Sequence, residues 1–305
     1  MVSKKVTIIV PAYNEKPNIK PLVEEIKRLR AKDRKRDYHV VIVDDGSSDG
    51  TYEEATKLSK KLKWLDVEKH RANLGKTEAI VTGFLASKGD VIVILDADLQ
   101  YDPLEIPLLL EKIDQGYDIV SGWKQGRYRK RFVSTIYNNL SRMLFRIPVH
   151  DQNAIKAMKR EVLEEIPLRK DWHRYMVALA VDRGFKATEV KVTLRERYAG
   201  ESKYSGKGRI FVGVMDLLSV KFLLTFMKKP MLLFGNMGIV SLGLGFLVGI
   251  YTVVMRVFFH HGYRPLLYLT MLLILAGLLL FAMGFLAEVI TTLLERMERI
   301  EKRLK

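Results

Sequence analysis

Val91-Ile-Val-Ile-Leu-Asp-Ala-Asp-Leu-Gln100 decides how the rest of the chain is read. An unbroken run of mostly β-branched residues suits a parallel strand buried on both faces. The run stops at Asp96 and Asp98, with Gln100 two residues on. If the chain stays extended, alternate residues share a face, so Asp96, Asp98 and Gln100 converge on one point. Two carboxylates and an amide oxygen suit a hard divalent cation, Mg2+ or Mn2+. The carboxyl end of a strand is also where an open α/β sheet binds its ligands. The alternative is a pair of solvated turn aspartates, since Asp is common in turns.

The flanking sequence repeats the pattern. Val6 to Pro11 and Val40 to Val43 read as strands, and a shorter one lies near Leu65 to Glu68. Apolar Ile19, Leu22, Val23, Ile26 and Leu29 fall at helical spacing and predict a helix from Asn18 to about Ala31. Further helices are expected over Gly75–Ser87 and after Pro103, with Ser48 or Asp49 capping the helix that follows the second strand. Alternating strands and helices predict an α/β fold with a mostly parallel, doubly wound sheet. The chain has no cysteine, so disulfides and Cys-ligated metals are excluded. Its net charge of +16 calls for an anionic partner: nucleic acid, a phosphorylated substrate or lipid headgroups.

The C-terminal part belongs in a different solvent. No charged residue occurs between Lys229 and Arg256, nor between Arg264 and Glu288. Each stretch exceeds the roughly 20 residues that cross a bilayer core, and the short connector makes the pair a hairpin. Gly245-Phe-Leu-Val-Gly249 supplies a small-residue packing face. The basic residues place residues 1–205 and the tail on the cytoplasmic side of a cell membrane. Residues 206–229 mix large apolar side chains with charges and read as interfacial helices, or as a soluble docking helix. In the tail, 288–305, Leu293, Met297, Ile300 and Leu304 are spaced four, three and four apart. That suits a short coiled coil and a homo-oligomer between dimer and tetramer.

Four polar clusters follow predicted strands: Pro11-Ala-Tyr-Asn-Glu15, Asp44-Asp45-Gly46, Asn73-Leu-Gly-Lys76 and Asp96-Ala-Asp98. All would emerge at one sheet edge. This set, over about the first 125 residues, resembles the family 2 glycosyltransferases with a GT-A fold. Ser121-Gly-Trp-Lys124, His150-Asp-Gln-Asn153, His173-Arg-Tyr175, Arg197 to Tyr204 and two C-terminal spans narrow the likeness to polyisoprenyl-phosphate glycosyltransferases, such as dolichyl-phosphate glucose and mannose synthases. The resemblance implies transfer of a hexose, with inversion, from a nucleotide-sugar to a dolichyl or undecaprenyl phosphate. It implies that Pro11, Tyr13, Glu15, Asp44, Asp45, Lys76, Asp96 and Ala97 bind the nucleotide-sugar, and that Asp96, Asp98 and Gln100 hold the cation. Asp151 would stand at the reacting centre, or else cap a helix over Ala154–Leu163. Lys124, Arg131, Ser134, Arg197 and Lys203 would bind the lipid phosphate, or else be solvated surface groups. In one respect the chain departs from its relatives: they carry a Gly and an aromatic where Asn153 runs directly into Ala154-Ile-Lys156.

The donor expected first is UDP-glucose, with GDP-mannose and UDP-N-acetylglucosamine as alternatives. A processive polysaccharide synthase would need an Arg-Trp pair, and Trp64, Trp123 and Trp172 follow Lys, Gly and Asp. A transferase with another acceptor and a non-catalytic membrane scaffold are the other readings. No nucleic-acid-binding motif accompanies the positive charge.

Overall fold

In the computed structural model, which describes residues 5–125, 142, 147–166, 168–169, 171–196, 198, 219–222, 229–260 and 262–304, the chain divides into two units, 1–211 and 212–305. The predicted strands form as β1 (Lys5–Ala12), β2 (Asp37–Asp44), β3 (Leu65–Lys69), β4 (Val91–Ile94) and β5 (Ile119–Gln125). Ile8, Ile9, Val40 to Val43, Ile92 and Val93 are all fully buried. Burial on both faces explains why these strands read as apolar runs without alternation. Helices α1 (Lys16–Lys32), α2 (Thr51–Ser59), α3 (Lys76–Ala86) and α4 (Ile106–Asp114) are the connections that cover them. Helix α1 seats Ile19, Leu22, Val23, Ile26 and Leu29 in the core, as its spacing requires. Helix α2 is capped by Gly50, one residue beyond the expected position, while the Asp49 carboxylate accepts from the Thr51 amide at 2.9 Å.

The sheet has seven strands in the order β3-β2-β1-β4-β6-β5-β7, where β6 is Lys156–Lys159 and β7 is Ala187–Thr193. Only β6 is antiparallel to its neighbours, pairing Lys156 with Ile94 on β4 and with Ser121 on β5. The helix expected over Ala154–Leu163 is therefore replaced by this strand and the short α5 (Arg160–Glu165). Ala157 and Met158 are fully buried on opposite faces of a four-residue strand, which leaves no periodicity to detect. A short helix, α6 (Met176–Asp182), precedes β7.

Asp33, just past α1, ties α1 to β2. Its carboxylate accepts from Tyr38 Oη at 2.6 Å, from Arg36 Nη1 at 2.9 Å and from the Lys35 amide at 3.2 Å. Arg36 continues to Asp114 at the end of α4, at 2.6 Å. Burial alone would raise the Asp33 carboxyl, but Tyr38 and Arg36 hold it below the usual carboxylate range. A depressed folded value stabilises the protein above the unfolded value of about 4 and is lost as pH falls through the folded one. Asp33→Ala is thus expected to cost about 2 kcal/mol at pH 7. Urea unfolding should show the gap from wild type narrowing toward pH 3. A pH-independent gap would assign the loss to packing instead.

In the second unit, α7 (Pro230–Phe258) and α8 (Arg264–Leu304) pack as an antiparallel pair. Pro230–Phe258 and Arg264–Leu294 are long and apolar enough to cross a membrane, and few of their residues are buried. They approach most closely at small residues: a Cβ on Gly238 would lie 2.8 Å from Gly277 O. One on Gly245 would lie 2.9 Å from Ile274 Cγ1. Glu288 accepts from the Met231 amide at 3.2 Å, satisfying a donor at the start of α7. The second span and the tail form one continuous helix. Of 206–229, the described Ser219–Phe222 are helical; the rest of that segment's expected interfacial helices lies outside the described residues, apart from Lys229.

Candidate active site

The loops after β1 and β2 are zipped together at the carboxyl edge of the sheet. Asn14, at φ 52, donates its amide to Ser47 Oγ at 2.8 Å and accepts from the Ser48 amide at 2.9 Å. The Glu15 amide reaches Thr51 Oγ1 at 2.9 Å, and the Lys16 amide reaches Asp49 at 3.0 Å. The order in which successive strands are added reverses between the parallel β1 and β4, so the crevice beside these loops is the place where a doubly wound sheet takes a ligand.

Asp44 and Asp45 are both buried there, yet they are used differently. Asp45 accepts from the Leu74 and Gly75 amides, each at 2.8 Å, and from His70 Nδ1 at 2.8 Å. His70 Nε2 in turn lies 2.9 Å from Thr82 Oγ1. Asp45 is thus committed to shaping the loop that launches α3. Asp44 Oδ2 has a long bond of 3.4 Å from the Ser47 amide, while Oδ1 is buried with no partner among the described residues. An acceptor left unsatisfied in this way costs free energy until an N–H donor arrives. Tyr13 is the exposed aromatic of the β1 loop, with Pro11 and Glu15 partly buried beside it.

The Asp96-Ala-Asp98 segment is a turn rather than a strand continuation. β4 ends at Ile94, and Leu99 takes φ 58, so strand alternation does not align Asp96, Asp98 and Gln100. What joins the last two is the Gln100 amide, which donates to Asp98 Oδ1 at 3.2 Å. The turn is anchored from just past β7 by the Arg195 backbone amide, 2.9 Å from Gln100 O. Asp96 accepts a short bond from Lys76, the first residue of α3. Burial would raise the Asp96 carboxyl, but Lys76, with Lys156, holds it below its usual range. Among the described residues no three His, Cys, Asp or Glu side chains form a complete metal cage. Two turn carboxylates fit Mg2+ or Mn2+, which retain waters and take phosphate oxygens as ligands.

A second acid centre faces β5. Asp151 is buried, with Lys124 Nζ 3.0 Å from Oδ2 and the Asn153 amide 2.8 Å from Oδ1. Ser121 Oγ donates to Asp151 O at 2.6 Å. The carboxylate therefore closes a turn leading into β6 and caps no helix. His150 stacks on Trp123, ring centres 4.1 Å apart, and Glu189 on β7 accepts both its amide and its Nδ1 at 2.5 Å. That clamp fixes the backbone on which Asp151 sits. Arg131, Ser134, Arg197 and Lys203 lie outside the described residues.

Two residues at this edge escape the sequence reading, Lys156 and Glu189, whereas His173 belongs to the quoted His173-Arg-Tyr175 motif without an assigned role. His173 Nδ1 lies 2.9 Å from Thr77 Oγ1, and burial with Lys76, Arg174 and Lys156 nearby pushes it down to about 2. It is a neutral imidazole at physiological pH. Lys156 carried a usable signal, a lone charge in the apolar run Ala154-Ile-Lys-Ala-Met158, obscured by the helix expected there.

The loops, the paired acids and the strand order coincide with a known set. The Glycosyl transferase family 2 model matches residues 7–166, more than half the chain. The chain belongs to glycosyl transferase family 2. Among its relatives within the family, dodecaprenyl-phosphate galacturonate synthase of Rhizobium johnstonii is 29% identical, covering 94% of this chain and 88% of its own. Undecaprenyl-phosphate 4-deoxy-4-formamido-L-arabinose transferase of an Enterobacter species is 32% identical with the same coverage. In fold, this family 2 member matches glucosyl-3-phosphoglycerate synthase of Mycobacterium tuberculosis, solved with Mn2+, UDP-glucose and phosphoglyceric acid. The TM-score is 0.56 at 19% identity, over 72% of this chain and 79% of that one. The expected GT-A architecture and glycosyltransferase class are thereby shown.

Proposed function

We propose that the protein transfers a sugar, with inversion, from a nucleotide-sugar to the phosphate of a polyprenyl phosphate. The observation that carries the reading is a row of acid–lysine pairs along one sheet edge: Asp96 with Lys76, then Asp151 with Lys124. Such a row suits two phosphorylated substrates meeting end to end. Asp44 Oδ1 offers the base an acceptor for an imino or amino hydrogen, and Pro11, Tyr13 and Glu15 complete the nucleotide side of the site. Asp96 and Asp98, with Gln100, would hold the divalent cation. When bound, the cation neutralises charge that develops on the departing diphosphate. The acceptor is already a phosphate anion, so no strong general base is required, and neutral His173 supplies no acid. Lys124, with Arg131, Ser134, Arg197 and Lys203, receives the lipid phosphate, and Asp151 orients Lys124. The relatives' names carry undecaprenyl phosphate and add dodecaprenyl phosphate beside dolichyl phosphate as acceptors to try. The sugar-binding unit faces the cytoplasm, and tail pairing gives a dimer to tetramer.

UDP-glucose is the first donor to try. GDP-mannose, UDP-N-acetylglucosamine and nucleotide-activated galacturonate and 4-deoxy-4-formamido-L-arabinose form the other arms. Radiolabelled transfer to polyprenyl phosphate, with and without Mg2+ or Mn2+, should yield one lipid-linked product that disappears with the metal. Absence of product from every donor would overturn the reading.

A further inference from the structure

Lys156 occupies a position that the topology creates once. It is the first residue of β6, the strand that enters the sheet at the edge where the other six leave. Its register partners are Ile94, two residues before Asp96, and Ser121, which holds Asp151 in place. Lys156 therefore stands between the two acid centres and feels the charges of Asp96, Asp151, Lys76 and Lys124. It is 5% exposed. Among the described residues its ammonium donates one hydrogen bond, to Ala154 O at 2.9 Å, and it forms no ion pair. Burying an ammonium without a directly paired carboxylate is costly, and a neutral side chain of similar length would fill the position more cheaply. Burial and the neighbouring lysines bring the group down to about 7, against the pull of Asp151 and Asp96. An arriving phosphate would supply the missing partner.

We propose that Lys156 contacts substrate directly, donating to a phosphate oxygen of the reacting pair from the floor of the crevice between Asp96 and Asp151. This rests on the transfer reaction proposed above. The phosphate belongs either to the departing nucleoside diphosphate or to the lipid acceptor.

The test uses the full chain in detergent or nanodiscs, with Lys156→Met as the neutral variant and Lys156→Arg as the charge-keeping one. In Lys156→Met the melting temperature should hold or rise, while kcat/KM falls on the order of 10- to 100-fold. Lys156→Arg should recover part of that loss. Weaker UDP binding with an unchanged lipid KM assigns the contact to the diphosphate. A raised lipid KM with unchanged UDP binding assigns it to the acceptor. Wild-type values in all three measurements would overturn the proposal, as would a uniform loss in both variants that tracks a lowered melting temperature. If wild-type protein transfers no sugar, the reaction assignment fails. Binding of UDP and of polyprenyl phosphate to wild type and Lys156→Met then still decides the role of Lys156.

Discussion

Asp98→Asn should lower metal-dependent turnover by about 1,000-fold while leaving the fold unchanged. The substitution keeps shape and one oxygen, so the bond from the Gln100 amide can persist. What it removes is one of the negative charges that would hold the proposed cation against the departing diphosphate. Local geometry makes that charge hard to replace. Asp98 is 8% exposed, and the next residue, Leu99, is a buried leucine in the left-handed region. A bulky side chain in that conformation is strained and persists only where surrounding packing holds it. The turn cannot readily shift a neighbouring carboxylate into the gap. The measurement is kcat at saturating Mg2+ or Mn2+, alongside circular dichroism and a thermal melt. A folded variant with wild-type turnover would remove Asp98 from the site.

Gly46→Ala should destabilise the first unit by at least about 3 kcal/mol. Gly46 has φ +71, and a Cβ there would fall 2.4 Å from the Ala72 carbonyl carbon and 2.7 Å from Asn73 N. Both are backbone atoms, so neither can rotate away. The loop they belong to also donates the Leu74 and Gly75 amides to Asp45. Pushing it outward breaks those bonds and carries Lys76 away from Asp96, so transfer should fail in the fraction that still folds. Gly75→Ala is the matched control: φ is +99, but nothing lies within 4 Å of the added methyl, leaving conformational strain alone. Denaturant unfolding of the two variants beside wild type separates clash from strain. A Gly46→Ala protein within 0.5 kcal/mol of wild type, roughly the scatter of neutral surface changes, would refute the clash.

The parallel half of the sheet was readable because each strand is an apolar run ending in polar residues. The helices announced themselves by spacing, as in Ile19, Leu22, Val23 and Ile26. The insertion of β6 was not readable. Its four residues are buried on both faces, and antiparallel pairing between β4 and β5 is a long-range fact with no local signature. Gathering the four loops at one edge needed only topology. Dividing labour within them needed coordinates, since Asp44 and Asp45 are adjacent in sequence and alike in type. Only the packing shows that Asp45 is committed to His70 and the α3 loop while Asp44 keeps an open oxygen. Likewise, the left-handed Leu99 bends a segment whose composition suggested an extended chain.

The unbroken helix α8 carries a mechanical consequence. Its 41 residues span about 60 Å, roughly twice the thickness of a bilayer's hydrocarbon core. With no joint along its length, the azimuth of the outer end is dictated by how the inner end packs against α7. A quarter-turn of α8 at the Gly238–Gly277 contact would swing Leu293 and Met297 through the same angle several turns away. Any second chain that reads those side chains is therefore reading the state of the helix pair as well.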